Sequence, residues 1–332
     1  MFKDKKILVI GGTGSIGQAL IERILTENPA VIRVYSRDEY KQFLLAEKFR
    51  ENANIRYLIG DVRDEDRLDR AMNDIDIVFN LAALKHVPAC EYNPFEAVRT
   101  NVIGSQNVIA CAMANKVKKV IYTSSDKAVS PTNTMGATKL LAERLMSSSN
   151  YSRGNTGTVF ASVRFGNVMG TRGSVIPLFK QQVLEKGYIT VTEPEMTRFM
   201  MSLSQAVELT IKACSIARGG EVFVLKMPVI RLKDLAEVII EDMCKKNNID
   251  PEKIEIKKIG LRPGEKMYEE LMSEDESTKA VELNDMYVIM PPFENSYYIN
   301  ARKAVIGNYS SQKEKTLTKS QIRELLVREK LI

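Results

Sequence analysis

Ser125-Asp126-Lys127 sets a hydroxyl, a carboxyl and an amine on three consecutive residues. A carboxyl beside an amine can share proton transfers, one group giving a proton while the other takes one; the bland alternative is a solvated loop pair. Met135 and Lys139 stand four residues apart in Met135-Gly136-Ala137-Thr138-Lys139, so on a helix they share a face. A second set suits an anion. Gly11, Gly14 and Gly17, with Thr13, Ser15 and Ile16 between them, follow an apolar run and open a helical one. There, backbone amides and a helix N-terminus can hold a pyrophosphate. The same turn also works as a tight strand-to-helix connection without a ligand.

The elements that must position these groups are legible as punctuation. Apolar runs at Lys6–Ile10, Ile32–Tyr35, Ile55–Ile59, Ile75–Phe79, Val117–Tyr122 and Val159–Arg164 alternate with amphipathic stretches. This alternation predicts an α/β fold, a Rossmann-like doubly wound parallel sheet. Its expected extent is 1–165, with 200–225 returning to it. Segments 166–199 and 226–300, rich in Gly, Pro, Thr and Met, read as a smaller α+β substrate lobe, and 301–332 as an extension ending in a charged amphipathic helix. Both the glycine turn and Asp126-Lys127 then fall at the C-terminal ends of strands, where ligands of such sheets bind.

Around that edge the remaining cofactor candidates fall into place. Ser36-Arg37-Asp38 closes the second strand. A hydroxyl and a guanidinium favour a 2′-phosphate, hence NADP rather than NAD; with Arg37 solvated, Asp38 would take the ribose instead. Asp61 and Val62 are placed for the adenine, and Leu81, Ala82 and Ala83 bring backbone close to the cofactor. Lys85 can reach cofactor or substrate, and Asn101 is counted with the cofactor group.

Composition excludes several alternatives. The 332 residues carry 48 Lys and Arg against 42 Asp and Glu, a net +6 without a basic block, which argues against nucleic acid. One histidine, His86, and four cysteines without zinc spacing argue against a metal; His86 reads as a structural or cofactor-side hydrogen bonder. With no signal-peptide pattern and no apolar run near the roughly 18 residues of a membrane span, a cytoplasmic protein away from the membrane is expected.

These motifs resemble the extended short-chain dehydrogenase/reductase superfamily over nearly the whole chain. More closely, Tyr35–Glu39, Ala82–Pro88, Ser125–Ala128, Gly136–Lys139, Gly166–Val168 and Arg262–Lys266 are similar to the UDP-N-acetylglucosamine 4,6-dehydratases of polysaccharide and pseudaminic acid biosynthesis. The resemblance implies a hydro-lyase that makes a 4-keto-6-deoxy sugar nucleotide for surface or flagellar glycans, with hydride passed to NADP and back. It implies Lys127 as base at carbon 5 and Asp126 as acid at carbon 6. Ser125 would bond the oxygen at carbon 4, and Lys139 would hold the nicotinamide ribose. Asn167, Ser174, Val175, Thr190, Arg198, Arg262 and Glu265 would bind the UDP moiety.

The resemblance also implies a homo-oligomer, a hexamer or a dimer. One position departs from the superfamily pattern: Met135 stands where a tyrosine takes the hydroxyl proton, and a thioether cannot. Compact length and the second strand point to inversion at carbon 5. A retaining dehydratase, a UDP-sugar 4-epimerase and a non-catalytic dinucleotide sensor stay open as alternatives.

Overall fold

A computed structural model describes residues 1–171, 173–261, 264–292, 298 and 301–332. Its strands are β1 (Lys6–Ile10), β2 (Val31–Ser36), β3 (Ile55–Ile59), β4 (Ile77–Asn80), β5 (Lys119–Thr123), β6 (Val159–Arg164), β7 (Asn167–Val168), β8 (Tyr188–Val191), β9 (Thr197–Met201), β10 (Val222–Leu225), β11 (Val229–Arg231), β12 (Glu255–Lys258), β13 (Glu270–Met272), β14 (Ala280–Glu282), β15 (Met286–Ile289), β16 (Arg302–Lys303) and β17 (Tyr309–Ser310).

The central strands alternate between two apolar faces, as a doubly covered parallel sheet requires. Ile7, Val9, Ile77, Phe79, Ile121, Ala161 and Val163 enter one core. Leu8, Ile10, Val78, Val120, Tyr122 and Phe160 enter the other. Helix Ser15–Leu25 and helix Leu203–Ile216 bury Leu20, Ile21, Ile24, Val207 and Ile211 in the first. Helices Glu65–Met72, Gly104–Ala114 and Thr134–Ser152 bury Leu68, Val108, Ala142 and Met146 in the second.

The ten-stranded sheet runs β16-β14-β15-β10-β6-β5-β4-β1-β2-β3, and its run from β3 to β10 is parallel throughout. Chain order reverses between β1 and β4, which places a crevice at their C-terminal ends. The hairpin β14–β15 pairs antiparallel onto β10. The sheet therefore takes strands from inside 226–300, the segment expected to stay in the smaller lobe. The reason is apolar alternation: Met286 and Val288 are fully buried in the first core.

A separate core joins helices Val175–Lys186 and Leu232–Asn247 with β8. The charged C-terminal helix, Lys319–Arg328, closes this core with Ile322, Leu325 and Leu326, and a Thr318/Gln321 capping box starts it.

Candidate active site

The glycine turn after β1 meets the backbone after β4. Gly11 has φ +76°, and a Cβ there would stand 2.9 Å from the Ala82 nitrogen. Gly17 is as crowded, its Cβ position lying 2.6 Å from the Gly12 Cα. Only glycine permits both approaches. Helix Ser15–Leu25 starts on Gly14 with no side-chain cap and no acid in its first turn, which leaves the positive end of its dipole toward the crevice. These residues fit a dinucleotide pyrophosphate.

Next to the turn, Ser36 Oγ accepts from Gln42 Nε2 at 3.2 Å. Arg37 is half exposed and reaches Asp61 Oδ2 at 3.5 Å. Asp38 caps helix Glu39–Lys48 by accepting from the Lys41 amide at 2.9 Å. Asp61 takes three further hydrogen bonds from Arg63. Burial works against its charge, yet the Arg63 contacts and the Arg37 charge hold its carboxyl below the usual range. Val62 is buried against Gly104, and its carbonyl accepts from Asn107 Nδ2.

At the end of β5, Ser125 Oγ donates to Asp126 Oδ1 at 2.6 Å, and Lys127 Nζ donates to Asp126 Oδ2 at 2.9 Å and Oδ1 at 3.2 Å. A 3-10 turn, Asp126–Ala128, fixes the pair. A second acid joins them that the motifs did not single out: Glu269 Oε1 lies 3.6 Å from Lys127 Nζ and 3.3 Å from Arg198 Nε. Asn167 Nδ2 donates to both Glu269 oxygens, at 3.0 and 2.9 Å, and the Phe199 amide donates to Oε2 at 3.2 Å.

Burial and the Asp126 charge push Glu269 up to about 7, against the pull of Lys127 and Arg198. Burial pushes Asp126 the same way, but Lys127 and the Ser125 hydroxyl outweigh it and hold that carboxyl below its ordinary range. For Lys127, the Asp126 and Glu269 charges outweigh burial and raise the ammonium above its usual value.

Met135 is 4% exposed in a small apolar cluster with Cys90 and Ala97, so its role there is packing. One turn later Lys139 Nζ donates to the Thr123 carbonyl at 2.8 Å and lies 4.7 Å from the Tyr122 ring centre. Burial lowers its ammonium to about 8. Asn101 sits in a π-helical turn, Val98–Ile103, a widening often found at functional sites. Its amide accepts from the Leu84 amide at 2.8 Å and donates to the Leu84 carbonyl at 3.1 Å and to Thr138 Oγ1 at 2.9 Å. Asn101 therefore ties the backbone after β4 to the helix of Lys139.

The expected UDP-binding residues divide. Asn167 and Arg198 converge on Glu269, and Glu265 Oε1 lies 3.5 Å from Arg198 Nη2. Arg198 also donates to the carbonyls of Thr197, Met267 and Lys266, so the fold directs it into this cluster. Ser174 starts helix Val175–Lys186 without capping it, and its buried hydroxyl oxygen has no hydrogen-bond partner among the described residues. Thr190 Oγ1 instead accepts from Gln182 at 2.7 Å. Lys85 and His86 are exposed, and the Gly173 Cβ position comes within 3.3 Å of the His86 ring. Arg262 lies outside the described residues.

Among the described residues, no cluster of three or more His, Cys, Asp or Glu could hold a metal, and no helix is long and apolar enough to cross a membrane. Residues 7–291 match the family described as polysaccharide biosynthesis protein. The chain is 53% identical over 325 residues to an uncharacterized membrane protein of Methanocaldococcus jannaschii, covering 98% of this chain and 96% of that one. It is 42% identical over 342 residues to UDP-glucose 4-epimerase of Rickettsia felis, again covering 98% and 96%.

Among solved structures, Pen from Bacillus thuringiensis superposes with a TM-score of 0.94 at 57% identity, covering 100% of this chain and 99% of that one. DesIV, a dTDP-glucose 4,6-dehydratase from Streptomyces venezuelae with NAD bound, shares the fold: TM-score 0.69, 20% identity, 79% and 86% covered.

Proposed function

We propose, for a chain that belongs to the polysaccharide biosynthesis protein family, a nucleotide-sugar 4,6-dehydratase activity on UDP-N-acetylglucosamine. The observation that carries this reading is the Asp126–Lys127 pair at the end of β5, its carboxyl buried and its ammonium partly exposed, in a chain whose tyrosine position holds the packed thioether of Met135. Proton transfer then has to run through a carboxyl and an amine rather than a phenol.

Gly11, Gly14 and Gly17 would hold the pyrophosphate of NADP, with Thr13, Ser15 and Ile16 around it. Ser36 and Arg37 would take its 2′-phosphate, Asp61 and Val62 the adenine, and Lys139 the nicotinamide ribose. The chemistry such a dinucleotide supplies when bound is reversible hydride acceptance. Transfer of a proton from the Lys127 ammonium to Asp126 across their 2.9 Å hydrogen bond would leave an amine to take the proton at carbon 5, acidified by the ketone at carbon 4. Asp126 delivers a proton to the hydroxyl leaving carbon 6, and Ser125 hydrogen-bonds the oxygen at carbon 4. The hydride removed from carbon 4 ends on carbon 6 and a proton returns to carbon 5, so the net loss is one water. Ser174, Val175, Arg198, Arg262 and Glu265 would grip the UDP.

The name of the Rickettsia relative favours a second reading, 4-epimerisation. Purified protein incubated with UDP-N-acetylglucosamine and, separately, UDP-glucose separates the two by mass. Loss of one water from the first supports the dehydratase. An isobaric product from either sugar replaces it with the epimerase, and no change with bound dinucleotide means a sensor.

A further inference from the structure

We propose that Lys266 couples the grip on the nucleotide diphosphate to the Asp126–Lys127 turn, so that a filled nucleotide site steadies the groups that move protons. The nucleotide end of this coupling rests on the UDP reading of Arg198 and Glu265; the contacts at the turn do not. Lys266 follows Glu265 in the sequence. Arg198 Nη2 donates to the Lys266 carbonyl at 3.0 Å and lies 3.5 Å from Glu265 Oε1. From that anchored backbone the Lys266 side chain crosses to the loop after β5, where Nζ donates to the Ser130 carbonyl at 2.7 Å and to the Val129 carbonyl at 3.4 Å.

Those two carbonyls come directly after the turn. The Ala128 and Val129 amides close it, donating to the Ser125 and Asp126 carbonyls at 3.0 Å each. Ser130 then has φ +43°, a left-handed backbone that strains a residue other than glycine. Such strain persists where the surroundings over-determine the chain. Lys266 is one determinant and Gly264 is a second, its carbonyl accepting from Thr132 Oγ1 and Asn133 Nδ2 at 3.2 Å each. Asn133 also caps the helix of Lys139, so the segment 264–266 reaches both the turn and that helix. Binding energy from a part of the substrate that does not react raises turnover only when it is realised at the reacting groups. A diphosphate held by Arg198 orders the segment 264–266, and the Lys266 ammonium carries that order to the Asp126–Ala128 turn. Lys266 acts through the turn and is a positioning residue.

Hydrogen–deuterium exchange of the holoprotein, read by mass spectrometry on the peptide 124–134 with and without UDP, tests the coupling without turnover. In wild type, UDP should slow exchange in this peptide, which holds the Ala128 and Val129 amides, by about tenfold or more, the worth of one charge-assisted hydrogen bond. Lys266→Met should bind UDP within about threefold of wild type by calorimetry, because Arg198 and Glu265 are unaltered, but UDP should no longer slow that exchange. Lys266→Arg should restore part of the effect. UDP that binds wild type without slowing the exchange, or slows it equally in Lys266→Met, would overturn the coupling and leave the dehydratase reading standing. In turnover, Lys266→Met should lower kcat by about 100-fold, as a displacement of about 1 Å does, with KM within about threefold. A raised KM at the wild-type kcat would overturn the coupling and make Lys266 a binding residue. Wild-type protein in which UDP slows the exchange yet no water is lost would instead sink the dehydratase reading and leave the coupling standing.

Discussion

Gly136 lies against the carbonyl oxygen of Lys127 so closely that a Cβ on Gly136 would stand 2.2 Å from it. The helix that carries Lys139 is thus the floor on which the Asp126–Ala128 turn rests. Asn133 fixes the level of that floor by accepting from the Gly136 amide at 2.8 Å. Lys266 closes the other side, donating to the Ser130 carbonyl at 2.7 Å.

Gly136→Ala should therefore push the Asp126–Lys127 turn away from the sugar while leaving the glycine cradle after β1 untouched. A displacement of about 1 Å costs on the order of 100-fold in rate, so kcat should fall by that order with dinucleotide affinity unchanged. Steady-state kinetics and a dinucleotide titration on the same sample check it; an unchanged kcat in a folded variant would refute the packing argument.

Arg37→Ala should weaken NADP far more than NAD. Among the described residues the guanidinium has one long contact, 3.5 Å to Asp61, and Asp61 keeps its three hydrogen bonds from Arg63 without it. A charge-assisted bond contributes about 1.5–3 kcal/mol, which calorimetry would read as roughly a 10- to 150-fold loss for NADP. Equal affinities for both dinucleotides before and after the change would remove Arg37 from the site.

Met135→Leu should keep dehydration within about tenfold of wild type, because the side chain fills a small apolar cluster and volume-conserving swaps usually cost under about 1.5 kcal/mol. Loss of turnover in a stable Met135→Leu protein would mean that the thioether does more than pack.

Glu269→Gln should change how stability depends on pH. The folded-state value of Glu269 is about 7 against an ordinary 4.5. Between them the folded chain binds the extra proton, so the stability of the wild type falls as pH rises through this window. The variant lacks this slope. Its unfolding free energy relative to wild type should rise by up to about 1.4 kcal/mol per pH unit across that window; denaturant titrations giving a flat or falling difference would contradict the raised value.

The doubly wound half of the fold was readable because its strands are short, wholly apolar and each followed by a helix. Even there β4 begins at Ile77 rather than Ile75, since Asp76 turns its carboxylate to the Lys6 amide at 3.0 Å and to Lys118. The joining of β14 and β15 to the main sheet was not readable, because nothing local distinguishes a strand that pairs with β10 from one that pairs within the smaller lobe.

In the site, the glycine turn and Asp126-Lys127 stood out because each is a contiguous motif. Glu269 did not: it lies beside Glu270 in one acidic run, and only the long-range contacts of Ser311, Asn167 and Arg198 bury it. Arg198 was read from the sequence as a candidate cation for the UDP, but apart from the adjacent Thr197 carbonyl its carbonyl and carboxylate partners come from a segment about 70 residues away.

The most direct test of the central claim is turnover of UDP-N-acetylglucosamine in heavy water by wild-type protein and by Lys127→Ala. Lys127 sits between Asp126 and Glu269 and is the group assigned to the carbon 5 proton. Wild type should lose water and place solvent deuterium at carbon 5, seen by proton NMR of fresh product. Lys127→Ala should bind substrate and dinucleotide, since neither the glycine cradle nor Arg198 is altered, yet lose two to four powers of ten in rate, as expected for a general base, with no exchange at carbon 5. Dehydration and exchange at the wild-type rate in Lys127→Ala would contradict the assignment and place the base elsewhere.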